Sequence, residues 1–255
     1  MARYGVLADI HGNREALEAA LAALDRRDVR RLLCLGDIVG YNADPDECAD
    51  MLRRRGALAI AGNHDLIGTG HMGFERCSNN AAYALRRTRR LLGAQTAEWL
   101  ESLPSRLAVD RDVVLVHGGV RDVQLYMKTD TQIRQNAEFL RADFPGARLC
   151  FFGHSHEQRV FEISSEIGTL QADGTVLLNR EKLYLVNPGS VDAQRKNGDR
   201  QAEFAILDTL DWSVEFMRVR YDSAATEAKA AVYGYRIGPW TNRFYSLRRR
   251  LLHRL

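Results

Sequence analysis

The chain has no apolar run approaching the ~18 residues that a membrane-spanning helix needs, so a membrane span is excluded. Its first residues, Met1-Ala2-Arg3-Tyr4, lead straight into an apolar strand, without the basic segment and long apolar core of a secretory leader. The protein therefore reads as cytoplasmic. Cysteine is scarce: Cys34, Cys48, Cys77 and Cys150 form no CxxC or CxxxC pair, which argues against a cysteine zinc site and for reduced thiols with no redox role. An excess of one charge is also missing. With 36 Lys and Arg against 33 Asp and Glu, the net charge of +3 gives no sign of the long basic groove that nucleic acid would require. Proline numbers only five, and no Pro- or Ser-rich linker, repeat or low-complexity tract divides the chain. One domain spanning 1–255 is expected, with a core over about 3–221 and a helical, basic tail over about 222–255.

What is present is an ordinary globular composition, 45% hydrophobic and 27% charged, with apolar runs at regular intervals. Tyr4–Ala8, Leu32–Leu35 and Leu58–Ala61 read as strands. Between them lie helices, the first capped by Asn13, the second by Asp44 with Pro45 at its first position and Glu47 completing a capping box. This β-α-β-α-β opening implies a parallel sheet. Helices are expected over Asn79–Leu92, Thr96–Leu103 and Thr131–Ala142, and strands over Val113–Val116 and Leu149–Phe152. After His156 the pattern changes to short strands, Arg159–Ile163, Thr175–Leu178, Leu183–Val186, Phe204–Leu207 and Val214–Val219, which predict antiparallel pairing. The class is α/β, with two packed mixed sheets flanked by helices.

Five of the seven histidines fall in five ordered motifs, each following an apolar run. The motifs are Asp9-Ile10-His11-Gly12-Asn13, Gly36-Asp37, Gly62-Asn63-His64-Asp65, His117-Gly118-Gly119 and Gly153-His154-Ser155-His156. Singly, each has an ordinary reading: Asp37 as a cap, Asn63 as a turn residue, His117 as a satisfied core histidine. Together, they place carboxylate, amide and imidazole donors just past strand ends, where α/β proteins build metal sites. The mixed donor set suits Mn²⁺, Fe or Zn²⁺ better than Ca²⁺. Gly68-Thr69-Gly70-His71-Met72-Gly73 matches a dinucleotide fingerprint literally, but it joins no strand to a helix and has no acidic partner about 20 residues on, so it reads as a flexible loop. Ser155 lies outside any Gly-x-Ser-x-Gly elbow, and no P-loop is present.

The ordered set resembles the calcineurin-like metallophosphoesterase superfamily, and Gly36–Tyr41 with Val186–Val191 are similar to its small bacterial phosphodiesterase/phosphatase branch. The resemblance covers roughly 3–221 and implies the four-layer metallophosphoesterase sandwich. It further implies two divalent metal ions, with Mn²⁺ favoured over Fe, Zn²⁺ or Ni²⁺. Asp9, His11 and His156 would hold one ion, Asn63, His117 and His154 the other, and Asp37 would bridge them around a nucleophilic hydroxide. His64 would stabilise phosphoryl oxygens or protonate the leaving group, with Asp65 orienting its ring. The implied reaction is hydrolysis of a small phosphodiester or phosphomonoester. A nucleotide or dinucleoside polyphosphate hydrolase is the alternative, and a non-enzymatic scaffold is disfavoured because His64 and every ligand position are intact. Protein phosphatases of the superfamily carry Gly-Asp-x-x-Asp-Arg-Gly, whereas Gly36-Asp37-Ile38-Val39-Gly40-Tyr41-Asn42 lacks the arginine. Arg121, Arg195 and Lys196 are the candidates for phosphate contacts in its place. The expected partner is a small phosphoester, with neither a membrane nor nucleic acid expected; the basic tail and Arg86, Arg87, Arg89 and Arg90 read as solvated surface, and oligomeric state is left open.

Overall fold

The computed structural model describes residues 3–192 and 200–252, with side chains through residue 247. The chain runs β1 (Arg3–Leu7), α1 (Arg14–Arg26), β2 (Arg31–Cys34), α2 (Pro45–Arg54), β3 (Leu58–Ala59), α3 (Asn63–Thr69), α4 (Asn79–Leu91), α5 (Ala94–Ser102), β4 (Arg106–Ala108), β5 (Val113–Val116), α6 (Asp130–Asp143) and β6 (Leu149–Phe151). It continues through β7 (Arg159–Ile163), β8 (Ile167–Leu170), β9 (Thr175–Leu177), β10 (Leu183–Asn187), β11 (Gln201–Asp208) and β12 (Ser213–Arg220). Two helices close it, α7 (Ser223–Val232) and α8 (Pro239–Leu252).

The strands form two six-stranded sheets, ordered β3-β2-β1-β11-β12-β9 and β4-β5-β6-β10-β7-β8. The opening strands pair in parallel, β1 with β2 and β2 with β3, as the β-α-β-α-β pattern predicts. The later strands extend both sheets antiparallel, β11 against β1 and β7 against β10, while β10 itself pairs in parallel with β6. Both sheets are therefore mixed.

Side-chain alternation assigns the layers. Tyr4, Val6 and Ala8 point from the first sheet into a core shared with Leu115, Phe151 and Val186 of the second. Leu7 points to the opposite face, where Leu17, Ala20, Leu21 and Leu24 of α1 cover it. The outer face of the second sheet is covered by Ile133, Ala137 and Leu140 of α6. Each fully buried leucine contributes about 1.5–3 kcal/mol to holding these layers together.

Asn13 accepts from Ala16 N and caps α1 as expected. Asp44 occupies the N-cap position of α2 but makes no side-chain cap bond, because its carboxylate pairs with Lys229 of α7. A short helix, α3, begins at Asn63, read from the sequence as a turn residue, and takes in the start of the expected Gly68–Gly73 loop before its C-cap at Gly70 with φ +95°. Strands β4 and β8 were also not expected. Both are short and largely exposed, so they carry little alternation to read. The tail is docked: Thr226 of α7 donates to Asn13, and Asn79 of α4 donates to Asn242 and Ser246 of α8. All four cysteines are free and buried, and burial raises the thiols of Cys34, Cys48 and Cys150 above their ordinary range. Among the described residues no helix is long and apolar enough to cross a membrane.

Candidate metal centre

Five loops leave the ends of β1, β2, β3, β5 and β6 and converge. Asp9, His11, Asp37, His154 and His156 have φ of 54°, 52°, 53°, 63° and 59°, and are five of the seven non-glycine residues with positive φ among those described. Left-handed backbone costs about 1–3 kcal/mol per residue and persists only where the surroundings impose it. Here a main-chain lattice imposes it. Asp9 N donates to Gly36 O, His11 N to Asp37 O and Gly12 N to Ile38 O. The His154 amide donates to both oxygens of Asp9, at 3.1 and 3.0 Å. The strained positions are thus the side chains that the motifs singled out.

The donor atoms face one another. His11 Nε2 lies 3.2 Å from His156 Nε2, and His156 Nε2 lies 3.4 Å from Asp9 Oδ1. On the other side, His117 Nε2 lies 3.0 Å from Asn63 Oδ1 and 3.3 Å from Asp37 Oδ1. Asp37 joins the two groups, because its Oδ2 lies 3.8 Å from His11 Nε2. Asp9 with His11 and His156, and Asp37 with His117 and His154, each bring their donor atoms within 4.8 Å of one another, as do His11, Asp37 and His64.

Electrostatics shows that this donor set fits cations. Asp9 and Asp37 are buried, and among the described residues their ion-pairing partners are the site's own histidines, with no Lys or Arg. Two buried carboxylates without a cationic side chain require positive charge from elsewhere. Burial alone would raise the Asp37 carboxyl, but His117 and then His64 hold it well below the usual range. His117 is pushed up to about 9, with the attraction of Asp37 overcoming burial. His11 is lowered by burial and then by His64, and His154 is lowered to about 3 by burial and then by His117. His11 and His154 are thus neutral beside ionised carboxylates, the states that first-row divalent metals bind, while His117 would have to give up its proton to a cation.

His64 and Asp65 begin α3 but do different things. His64 donates its amide to Asp37 Oδ1 at 2.7 Å, and its ring lies 4.5 Å from that of His11 and 4.8 Å from that of Tyr41. Asp65 does not orient the His64 ring, contrary to the expectation. Its Oδ1 accepts from the amides of Ile38 and Val39 and its Oδ2 from that of Gly62, so it ties the Asp37 loop to the start of α3. Gly40, at φ +151°, closes over the site: a Cβ there would lie 2.5 Å from His64 Nδ1 and 2.8 Å from His11 Nδ1.

A buried polar layer beneath the donors explains the Asn187-Pro188-Gly189-Ser190 motif. Asn187 Nδ2 donates to Gly153 O and to Ser155 Oγ, while Ser190 Oγ donates to Asp9 O. The two ligand-bearing loops of His154 and Asp9 are thereby clamped to one turn. Asn13 and Asn42 both donate to Asp192 Oδ1, at 2.8 and 2.7 Å, and Asn42 also donates to His11 O.

A cavity of about 1030 Å³ opens onto Asn63, His64 and His154. Its walls include Tyr41, from the Gly36–Tyr41 segment, together with Tyr126, Arg76 and Arg236, which no sequence motif marked. Tyr126 stacks on His154 with ring centres 4.0 Å apart, and Gln124 O lies 3.2 Å from His154 Nε2. Arg121 is not among the residues brought together. Its guanidinium pairs with Asp143, lies over the Phe139 ring and lines a separate, smaller cavity. Arg195 and Lys196 lie outside the described residues.

The sequence model for the calcineurin-like phosphoesterase superfamily domain matches residues 2–211, and the chain belongs to that superfamily. An uncharacterized protein of Methanocaldococcus jannaschii is 33% identical over 225 residues, covering 85% of this chain and 87% of its own. A metallophosphoesterase from Sphaerobacter thermophilus is similar at 30% identity with a TM-score of 0.74, over 95% of this chain and 97% of that one. A hypothetical protein from Pyrococcus horikoshii shares the fold at 18% identity and a TM-score of 0.71, over the same shares of the two chains. Two mixed six-stranded sheets between helices are thus the metallophosphoesterase fold, and the family implies divalent metal ions and phosphoester hydrolysis.

Proposed function

We propose that this protein is a dinuclear metal-dependent phosphoesterase that hydrolyses a small phosphodiester or phosphomonoester. The observation that carries the reading is the placement of Asp37, with Oδ1 facing His117 Nε2 and Oδ2 facing His11 Nε2. Asp9, His11 and His156 would hold one ion, Asn63, His117 and His154 the other, and Asp37 both. Bound there, divalent cations neutralise phosphoryl oxygens and make water acidic enough to act as a nucleophile near neutral pH. His64 stands in the cavity wall beside these donors, where its ring can hold a phosphoryl oxygen or protonate the leaving oxygen. Tyr41 and Tyr126 give the rest of the substrate two aromatic walls. We favour Mn²⁺ as the activating ion, with Fe, Zn²⁺ and Ni²⁺ as competitors. A second reading, hydrolysis of a nucleotide or dinucleoside polyphosphate, is favoured by the cavity volume of about 1030 Å³, far more than a bare phosphate fills.

The test is a set of initial rates. Metal-free protein is reloaded with each of these ions and offered an aryl phosphomonoester, a bis-aryl phosphodiester and dinucleoside polyphosphates. Metal-dependent hydrolysis of an aryl ester, fastest with Mn²⁺, is expected. A polyphosphate outrunning both aryl esters moves the assignment to the second reading. Metal uptake without turnover of any ester ends the proposal.

A further inference from the structure

Helix α8 has two faces. Asn242 and Ser246 meet Asn79 of α4, and Tyr245 packs near Tyr83. The outward face carries Trp240, Phe244 and Leu247, spaced i, i+4, i+7 along one stripe and 84%, 62% and 52% exposed. Two aromatics and a leucine aligned in water on a helix face mark a contact surface.

The chemistry of α4, the helix on which α8 packs, says what covers the stripe. Arg86, Arg87 and Arg90 of α4, with Tyr83, Tyr233 and Tyr245, line a cavity of about 230 Å³. Among the described residues these arginines have no carboxylate partner. Arg86 lies 4.4 and 5.1 Å over the rings of Phe74 and Tyr245, and Arg87 donates to Tyr233 O. Charge is segregated in the same way along the chain. Residues 76–97 contain five arginines and no Asp or Glu, and residues 228–255 contain seven Lys or Arg and no Asp or Glu, although the whole chain balances 36 against 33. The segments that build α4 and α8 are thus uniformly basic, and the rest of the protein is acidic.

We propose that α8 and α4 form a docking face for an anionic phospholipid surface. Trp240, Phe244 and Leu247 enter the boundary between headgroups and acyl chains, while Arg86, Arg87, Arg90 and Arg243 meet lipid phosphates. A nucleic acid would use the arginines but leave Phe244 and Leu247 in water. A second copy of the chain would oppose two like-charged faces. The helix also gives Pro239 and Asn242 to the wall of the large cavity, so the docking face and the candidate centre share one element. The inference stands independently of the hydrolysis proposed above.

Flotation of the full chain with vesicles tests it. The protein is expected to float with phosphatidylcholine–phosphatidylglycerol vesicles, to stay behind with phosphatidylcholine alone, and to be released by salt. Removing each arginine is expected to lower partitioning about fivefold, read with the Arg86→Gln/Arg87→Gln/Arg90→Gln variant. The Trp240→Ser/Phe244→Ser/Leu247→Ser variant should lose flotation while keeping the wild-type melting temperature. No flotation with the anionic vesicles, equal flotation with neutral ones, or retention by the apolar variant overturns the proposal. So does binding to a DNA fragment in place of vesicles, or a dimer in light scattering that the apolar variant abolishes.

Discussion

His117 donates from Nδ1 to the carbonyl oxygen of Leu35 at 2.7 Å. A carbonyl only accepts, so this bond fixes Nδ1 as the donor and aims Nε2 at Asp37 Oδ1 and Asn63 Oδ1; without a cation Nε2 carries a proton there, since Asp37 pushes the ring up to about 9, and a metal ion would take that proton's place. His11 repeats the arrangement more loosely, its Nδ1 lying 3.4 Å from Val39 O. Both imidazoles are therefore held ready for a cation by β2 and the loop that follows it, the segment that also carries Asp37.

The sharpest consequence concerns Asp37. Asp37→Asn keeps the shape but removes the charge shared by the two donor groups, and it leaves one oxygen where there were two. Metal analysis after reconstitution is expected to show fewer than two ions per chain, with affinity for the weaker site reduced by more than the roughly 10–100-fold typical of an outer-shell change. Two ions per chain at wild-type affinity would remove Asp37 from the bridging position.

His64 and Asp65, adjacent in sequence, should separate in experiment. His64→Ala is expected to keep its metal content and melting temperature but to lose about 10²–10⁴-fold in turnover, the usual size for an acid–base group. Asp65→Asn replaces one acceptor oxygen with an amide donor that faces main-chain N–H groups. Leaving buried main-chain donors without an acceptor costs about 1–3 kcal/mol, so this variant should lower the melting temperature first. Reversed behaviour of the two variants, with His64→Ala unstable and Asp65→Asn merely slow, would exchange the roles.

What the sequence revealed and what it hid have physical causes. Runs such as Val113–Val116 and Leu149–Phe151 are fully buried and announce themselves by composition. The donors were legible because Asp9, His11, Asp37, His154 and His156 fall in short motifs just past strand ends, with His11, Asp37 and His154 directly beside glycine. The role of Asp65 was hidden, because nothing local shows that its oxygens accept from Ile38 and Val39, 27 and 26 residues earlier. The loss of the Asp44 cap was equally invisible, since the competing Lys229 lies 185 residues away. The cavity wall depends on such distant pairings too: Arg236 reaches it by donating to Tyr41 O and Asn42 Oδ1.

Gly40 offers a test of crowding. At φ +151° any side chain is strained, and a Cβ would press on Nδ1 of both His64 and His11. Gly40→Ala is expected to reduce turnover and metal affinity together while leaving the two sheets folded, as read by circular dichroism and metal titration. Wild-type turnover in Gly40→Ala would mean that neither imidazole needs its present position.

Arg76 and Arg121 should behave oppositely. Arg76 lines the large cavity and donates to Asp122 and to Gln124 O, bracing the loop whose Gln124 and Tyr126 contact His154. Arg76→Ala is expected to raise KM several-fold with little change in melting temperature, because an exposed ion pair is worth under about 1 kcal/mol. Arg121→Ala should leave kcat/KM unchanged, since its guanidinium is held by Asp143 and does not line the large cavity. Hydrogen bonds from Arg121 and then Arg106 lower the Asp143 carboxyl to about 2. A lowered carboxyl stabilises the fold above its ordinary value of 3.8 and loses that contribution as pH falls through the folded value. The small difference in melting temperature between wild type and Arg121→Ala should therefore be present at pH 7 and vanish on acidification from about pH 4 to pH 2. A turnover defect in Arg121→Ala at neutral pH would return that residue to the phosphate site.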